Sequence, residues 1–125
     1  MIRTARFGTR DLERARGFYD AIAGLLGGHR VFDRDELSGY QGSEGSMFVI
    51  GMPLAGDATA GNGTQIVFDA PSRAAVDAAH AKALELGGKC EGPPGFRGPE
   101  EMNFYATYFR DLDGNKLAVA KMGPE

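Results

Sequence analysis

The chain has 125 residues, 42% of them hydrophobic, a single cysteine and a formal net charge of -3; that suffices for one domain with one core and no disulfides. Its 14 basic residues are dispersed among 17 acidic ones, which leaves no cationic field for a phosphate backbone, and no apolar run approaches the roughly 20 residues of a membrane span. The first residues, Met1-Ile2-Arg3-Thr4-Ala5-Arg6, lack the apolar stretch of a secretory signal, and a lone Cys90 fits a reducing compartment, so a cytoplasmic location with no nucleic-acid or membrane partner is expected.

In chain order, Ile2 to Gly8 alternates weakly and predicts a strand. Asp11 can cap a helix whose apolar residues Leu12, Ala15, Phe18, Ile22 and Leu25 recur at spacings of three and four, and Gly27-Gly28 ends it. Strand-like runs follow at Arg30 to Phe32, Ser38 to Gln41 and Met47 to Gly51. The stretch Pro53 to Gly63 is rich in Gly, Ala and Pro and reads as a surface linker. The pattern then repeats. Thr64 to Asp69 is a strand, Ser72 can cap a helix striped by Val76, Ala79, Ala83 and Leu84, and Gly87-Gly88 ends it. Lys89 to Glu91 is a short strand, Gly92 to Pro99 a loop, and Asn103 to Phe109 and Asn115 to Lys121 form two strands joined by the turn Asp111-Leu112-Asp113-Gly114. Cys90 reads as a packing residue.

The expected architecture is α+β: two βαβββ modules forming a curved mixed sheet around a cleft, with helices on the outer face. Module 1 covers about residues 1–52, the linker about 53–63 and module 2 about 64–122, all within a single domain of residues 1–125.

Asp11-Leu12-Glu13-Arg14-Ala15 with Gly17-Phe18-Tyr19, Asp69-Ala70-Pro71-Ser72 leading into His80-Ala81 and Leu86-Gly87-Gly88, Gly92-Pro93-Pro94-Gly95, and Phe109-Arg110-Asp111-Leu112-Asp113-Gly114-Asn115-Lys116 together span nearly the whole chain. In these motifs the chain resembles the vicinal oxygen chelate superfamily, which includes glyoxalase I, extradiol dioxygenases, fosfomycin-modifying enzymes and metal-free bleomycin-binding proteins. The resemblance specifies a fold and leaves the reaction open. In the superfamily's metal-dependent members a divalent ion is held by His, Gln or Glu from the first strand of each half and a Glu from the last strand. Those positions fall here on Thr4, Gln65 and Ala118. A hydroxyl, an amide and a methyl cannot compensate a divalent ion for its lost hydration, so no metal and no other cofactor is expected.

Strand alternation places Arg6 on the same face as Thr4, with Ala5 and Phe7 on the other. Arg6 is therefore a candidate for binding a carboxylate or phosphate, the other reading being an internal salt bridge or a side chain in solvent. The resemblance to the fosfomycin-modifying branch makes Tyr108 a ligand contact, with Phe104 and Ala106 sharing its parity; a plain sheet role is the other reading. Phe48 and Ile50 are either cleft wall or core. Glu101 is a candidate general base only if buried, and otherwise a solvated loop carboxylate. His29 reads as a surface residue and His80 as a structural one.

Other motifs fail on their own chemistry. Asp111, Asp113 and Asn115 imitate an EF-hand start, but Lys116 and Met122 occupy the glycine and bidentate Glu positions. Gly61-Asn62-Gly63 precedes a strand instead of opening a helix, and no P-loop or nucleophile elbow is present.

The sequence reading is a metal-independent protein that binds a small polar or anionic molecule through Thr4, Arg6, Gln65, Phe104 and Tyr108, with homodimerisation expected. The alternative is a divalent-metal-dependent lyase, transferase or dioxygenase using unconventional ligands such as Glu101 and Gln65; as an enzyme it would be lactoylglutathione-lyase-like or dioxygenase-like. A third reading is an interaction subunit that pairs through its sheet edges. The sequence leaves open whether the two modules pair within one chain or swap between protomers.

Overall fold

A computed structural model describes all of residues 1–125. The helix boundaries follow the local chemistry. The Asp11 carboxylate accepts the Arg14 backbone N–H at 3.1 Å and opens α1 (Leu12–Leu25), and the Ser72 hydroxyl accepts the Ala75 N–H at 3.0 Å and opens α2 (Arg73–Glu85). Both helices stop the same way. Gly27 and Gly87 take positive φ values of 83° and 103°, and the next glycines, Gly28 and Gly88, each donate at 2.8 Å to a carbonyl five residues back, Ala23 and Ala83.

The strands of module 1 are β1 (Thr4–Gly8), β2 (His29–Asp33), β3 (Leu37–Gln41) and β4 (Met47–Gly51); those of module 2 are β5 (Ile66–Asp69), β6 (Lys89–Phe96), β7 (Tyr105–Arg110) and β8 (Lys116–Lys121). They form two four-stranded mixed sheets, ordered β1-β4-β3-β2 and β5-β8-β7-β6. In each the first strand runs parallel to the last and the other pairs are antiparallel, so the two βαβββ modules anticipated from the repeat are both present. Within one chain the strands divide into these two sheets, and β1 and β5 each keep one unpaired edge.

Alternation decides which side chains meet the helices. Phe7, Phe48 and Ile50 in module 1 and Leu117, Val119 and Phe109 in module 2 are buried in one core with Phe18, Tyr19 and Ile22 of α1 and Val76, Ala79 and Ala83 of α2. The helices touch each other, and aromatic rings cross between modules: Phe18 meets Phe109 edge-on at 6.4 Å and Phe48 meets Phe68 at 5.1 Å. Fully burying side chains of this size contributes about 1.5–3 kcal/mol each, so the two modules stabilise one another. Ile50 is core, and Phe48, buried in the same core, also reaches the groove between the modules.

Three expectations are corrected. Leu84 is 39% exposed, because it sits one residue, about 100° of helix rotation, past the buried Ala83. Cys90 is exposed rather than packed; it lies on the outermost strand β6, where its Sγ is 3.2 Å from His80 Nε2. The segment expected to be a loop from Gly92 continues as β6 to Phe96, with register shifts on either side of Gly92. An outermost strand tolerates Pro93 and Pro94, since their missing N–H groups leave no gap in an interior ladder.

Candidate functional site

The faces of the two sheets that turn away from the helices carry most of the residues singled out above. On β1, Thr4 and Arg6 alternate with the inward Ala5 and Phe7 and sit opposite Met47 and Val49. Both are exposed. Arg6 donates through Nη2 to the Met52 carbonyl at 2.6 Å and has no carboxylate partner. A Cβ at Gly51 would stand 3.0 Å from that Nη2 and 2.7 Å from Leu37 Cβ, so the glycine leaves room for the guanidinium.

On the second sheet, Tyr108 is half-buried opposite Ala118, and Ala106 opposite Ala120. These three alanines are buried and form a floor of methyl groups beside the Tyr108 ring. Two cations approach that ring, the Arg97 guanidinium and the Lys116 ammonium, each 5.6 Å from its centroid. Arg97 is held by donating to the Pro93 carbonyl, and its own backbone N–H donates to the Phe104 carbonyl at 2.8 Å. Gly92 permits the stack: a Cβ there would lie 3.2 Å from both Arg97 Nη2 and Tyr108 Cδ2. The adjacent Arg110 is committed elsewhere, pairing with Glu91 at 2.8 Å and holding that carboxyl below its ordinary range.

The structure sets Thr4 and Arg6 on the first sheet and Tyr108 on the second; Arg6 shares a small recess with Lys116, which flanks the Tyr108 ring, and Phe104 is tied to this site only through its carbonyl, which takes the Arg97 N–H. Gln65 is exposed just before β5 and lines a different feature, an open groove of about 1060 Å³ between the modules. Tyr40, Phe48, Ile66 and Phe68 give that groove an aromatic and aliphatic floor, and Asp69 and Lys121 lie on its lining. Glu101 is exposed in a single 3-10 turn, Glu100–Met102, and makes no hydrogen bond through its carboxylate. Sequence reasoning missed Arg97 and Lys116. Lys116 was readable by parity, since it shares a face with Ala118 on β8; Arg97 has no local signal, because it reaches Tyr108 only through the bulged course of β6.

The positions expected for a metal do not fit one. Thr4 is exposed, Ala118 is fully buried and offers a methyl group, and Gln65 supplies one neutral amide. Nowhere in the chain do three His, Cys, Asp or Glu side chains converge as a ligand set.

The family model described as the Glyoxalase/Bleomycin resistance protein/Dioxygenase superfamily matches residues 2–119. The chain belongs to this superfamily. A solved glyoxalase/bleomycin resistance protein from Albidiferax ferrireducens T118 is similar at 37% identity over 99% of both chains, with a TM-score of 0.89. Two more distant structures share the fold. A lactoylglutathione lyase from Agrobacterium tumefaciens is 22% identical, covers 97% of this chain and 92% of its own, and has a TM-score of 0.68. A fosfomycin resistance protein from Listeria monocytogenes is 17% identical, covers 99% and 93%, and has a TM-score of 0.69. No curated protein matches the chain. Within this superfamily, then, the chain keeps the two-module frame while a methyl group stands where the last-strand carboxylate is expected.

Proposed function

We propose that this superfamily member binds a small polar or anionic molecule without a resident metal, as a single cytoplasmic domain that acts as a homodimer. The observation that carries this reading is the surroundings of Tyr108: a half-buried phenol over an alanine floor, flanked by Arg97 and Lys116, neither of which pairs with a carboxylate. A hydroxyl donor and two cations beside an apolar floor suit a ligand that joins an anionic group to a flat or aliphatic body. Phe104 extends the apolar wall, and Thr4, Arg6 and Gln65 supply further polar contacts. The net charge of -3 argues against nucleic acid as the ligand.

The dimer extends the site across two copies. Strands β1 and β5 each have an unpaired edge, and such edges favour pairing with another chain. Exposed Ile2 and Val67, at 71% and 49%, line the groove beside those edges. Pairing β1 of one copy with β5 of a second sets the Thr4 and Arg6 face beside the Gln65 and Tyr108 face, with Arg6 and Asp69 as charges of opposite sign. Gel filtration should give twice the 13.3 kDa chain mass, and Val67→Glu should return it to monomer.

The binding test is a thermal-shift screen of aromatic and aliphatic carboxylates and phosphonates, followed by titration of the best ligand. Arg6→Ala and Tyr108→Phe should each weaken it about tenfold, the loss of one charge-assisted or buried hydrogen bond. Unchanged affinity in both variants would defeat the reading.

A further inference from the structure

A second, smaller recess of about 120 Å³ lies where the end of β1, the linker and the start of β8 meet. Arg6, Thr59, Gly61, Thr64, Asn115 and Lys116 line it, with the backbone of Gly8 nearby. The linker is pinned over this junction, with Ala58 Cβ 3.2 Å from where a Cβ of Gly8 would be and Ala60 Cβ 3.8 Å from that of Gly114. We propose that this recess binds a small oxyanion, a phosphate, phosphonate or carboxylate group, held by the Arg6 guanidinium and the Lys116 ammonium and completed by the Thr59 and Thr64 hydroxyls. It rests on the ligand-binding reading above through Arg6 and Lys116; the two threonines carry it independently.

The charge arrangement is the main argument. No Asp or Glu lines the recess, and neither Arg6 nor Lys116 has a carboxylate partner. Two like charges on one small polar space repel each other until an anion sits between them. The nearby carboxylates are already committed. Asp113 accepts from the Thr9 hydroxyl at 2.5 Å and the Arg10 N–H at 2.9 Å, and Asp111 accepts from Tyr19 and Asn115.

The donors are also largely unspent. Arg6 uses Nη2 on the Met52 carbonyl, which fixes the guanidinium plane and leaves its other N–H groups available. Lys116 is steered by the Tyr108 ring. The Thr59 and Thr64 hydroxyls make no hydrogen bond within the chain, and the turn from Gly61 to Thr64 is closed by a backbone bond of 3.4 Å that presents Thr64 to the recess. At about 120 Å³ the recess is on the scale of a single phosphate or carboxylate group.

The test is titration of the full-length protein with inorganic phosphate at constant ionic strength, read by thermal shift and by broadening of the phosphate phosphorus resonance, with acetate as the carboxylate arm. A saturable response beyond matched sodium chloride is expected for phosphate, acetate or both, the stronger arm naming the preferred group. Lys116→Gln should weaken it at least tenfold and Thr64→Val several-fold, while Lys89→Gln, an exposed cation on β6 outside both the recess and the groove, should leave it unchanged. A response equal to sodium chloride, or equal affinity in wild type, Lys116→Gln and Thr64→Val, overturns the proposal. The cleft reading is tested separately, by Arg6→Ala and Tyr108→Phe with the organic ligand, so the Thr64→Val result with phosphate distinguishes failure of the recess from failure of the cleft.

Discussion

The Tyr19 hydroxyl, on α1 of the first module, donates at 2.6 Å to the Asp111 carboxylate, at the β7–β8 turn of the second. Asp111 is buried and also accepts from the Asn115 side chain and from the backbone N–H groups of Asp113 and Asn115. Burial pushes the Tyr19 phenol well above its ordinary value, and the Asp111 and Asp113 charges add to this, so it remains a donor throughout the accessible pH range. Tyr19→Phe keeps the ring in the core and leaves a buried carboxylate one donor short. The expected loss is about 1–3 kcal/mol of unfolding free energy by urea denaturation. A loss well under that would mean that the bond joins the modules without stabilising them.

Acid should unfold the protein in a way that Arg30 controls. Burial opposes ionisation of Asp20, but hydrogen bonds from Arg30 and Tyr40 outweigh it and hold the carboxyl below its ordinary 3.8. Asp33 is held down by Ser38 and Arg30. For carboxyls whose folded pKa is lowered, the stabilisation is present above 3.8 and is lost as pH falls through the folded value. Asp111 has the opposite sign: burial raises its pKa, so its contribution weakens as pH climbs from 3.8 through the folded value. Arg30→Met removes the shared partner of Asp20 and Asp33. Its midpoint of thermal unfolding should be lower than wild type at neutral pH and converge with wild type below 3.8; parallel curves would assign the acid limb to other groups.

Most of the frame was legible because it is written in local and periodic signals. Asp11 and Ser72 mark the helix starts, paired glycines mark the stops, and the three-and-four spacing of Leu12, Ala15, Phe18 and Ile22 names the buried face. Parity alone predicted that Arg6 parts from Phe7 and that Tyr108 shares a face with Ala106. What escaped depends on distant approach. Nothing near Arg97 in sequence says that it will lie against Tyr108, and Tyr19 became a bridge to Asp111 only when the two modules packed. The course of β6 escaped because Pro93 and Pro94 signal a loop except on an outermost strand.

Two glycines make a paired test of the backbone. Gly17 is exposed in the middle of α1, and a Cβ there would meet nothing within 4 Å. Gly17→Ala should stabilise the protein by about 0.5–1 kcal/mol, the conformational entropy that glycine surrenders in a helix. At Gly88 a Cβ would lie 2.7 Å from the Arg110 carbonyl oxygen and 2.9 Å from that of Ala83. Both obstacles are backbone and cannot swing aside. Gly88→Ala should therefore destabilise, by about 1–3 kcal/mol as for overpacked sites, and urea denaturation of the two variants together checks the sign of each.

Metal titration decides between the two chemical classes open to this superfamily. A metal that binds the native state at a hundred times its dissociation constant adds about 2.7 kcal/mol and raises the unfolding midpoint. With Thr4, Gln65 and the buried methyl of Ala118 at the expected positions, chelator-treated protein should show no saturable shift with manganese, iron, nickel or zinc. Untreated protein should contain no stoichiometric metal by elemental analysis. A saturable rise with one metal, abolished by Gln65→Ala or Glu101→Ala, would instead identify a lyase, transferase or dioxygenase with unconventional ligands. In that case glyoxalase and dioxygenase assays of the metal-loaded protein should show turnover.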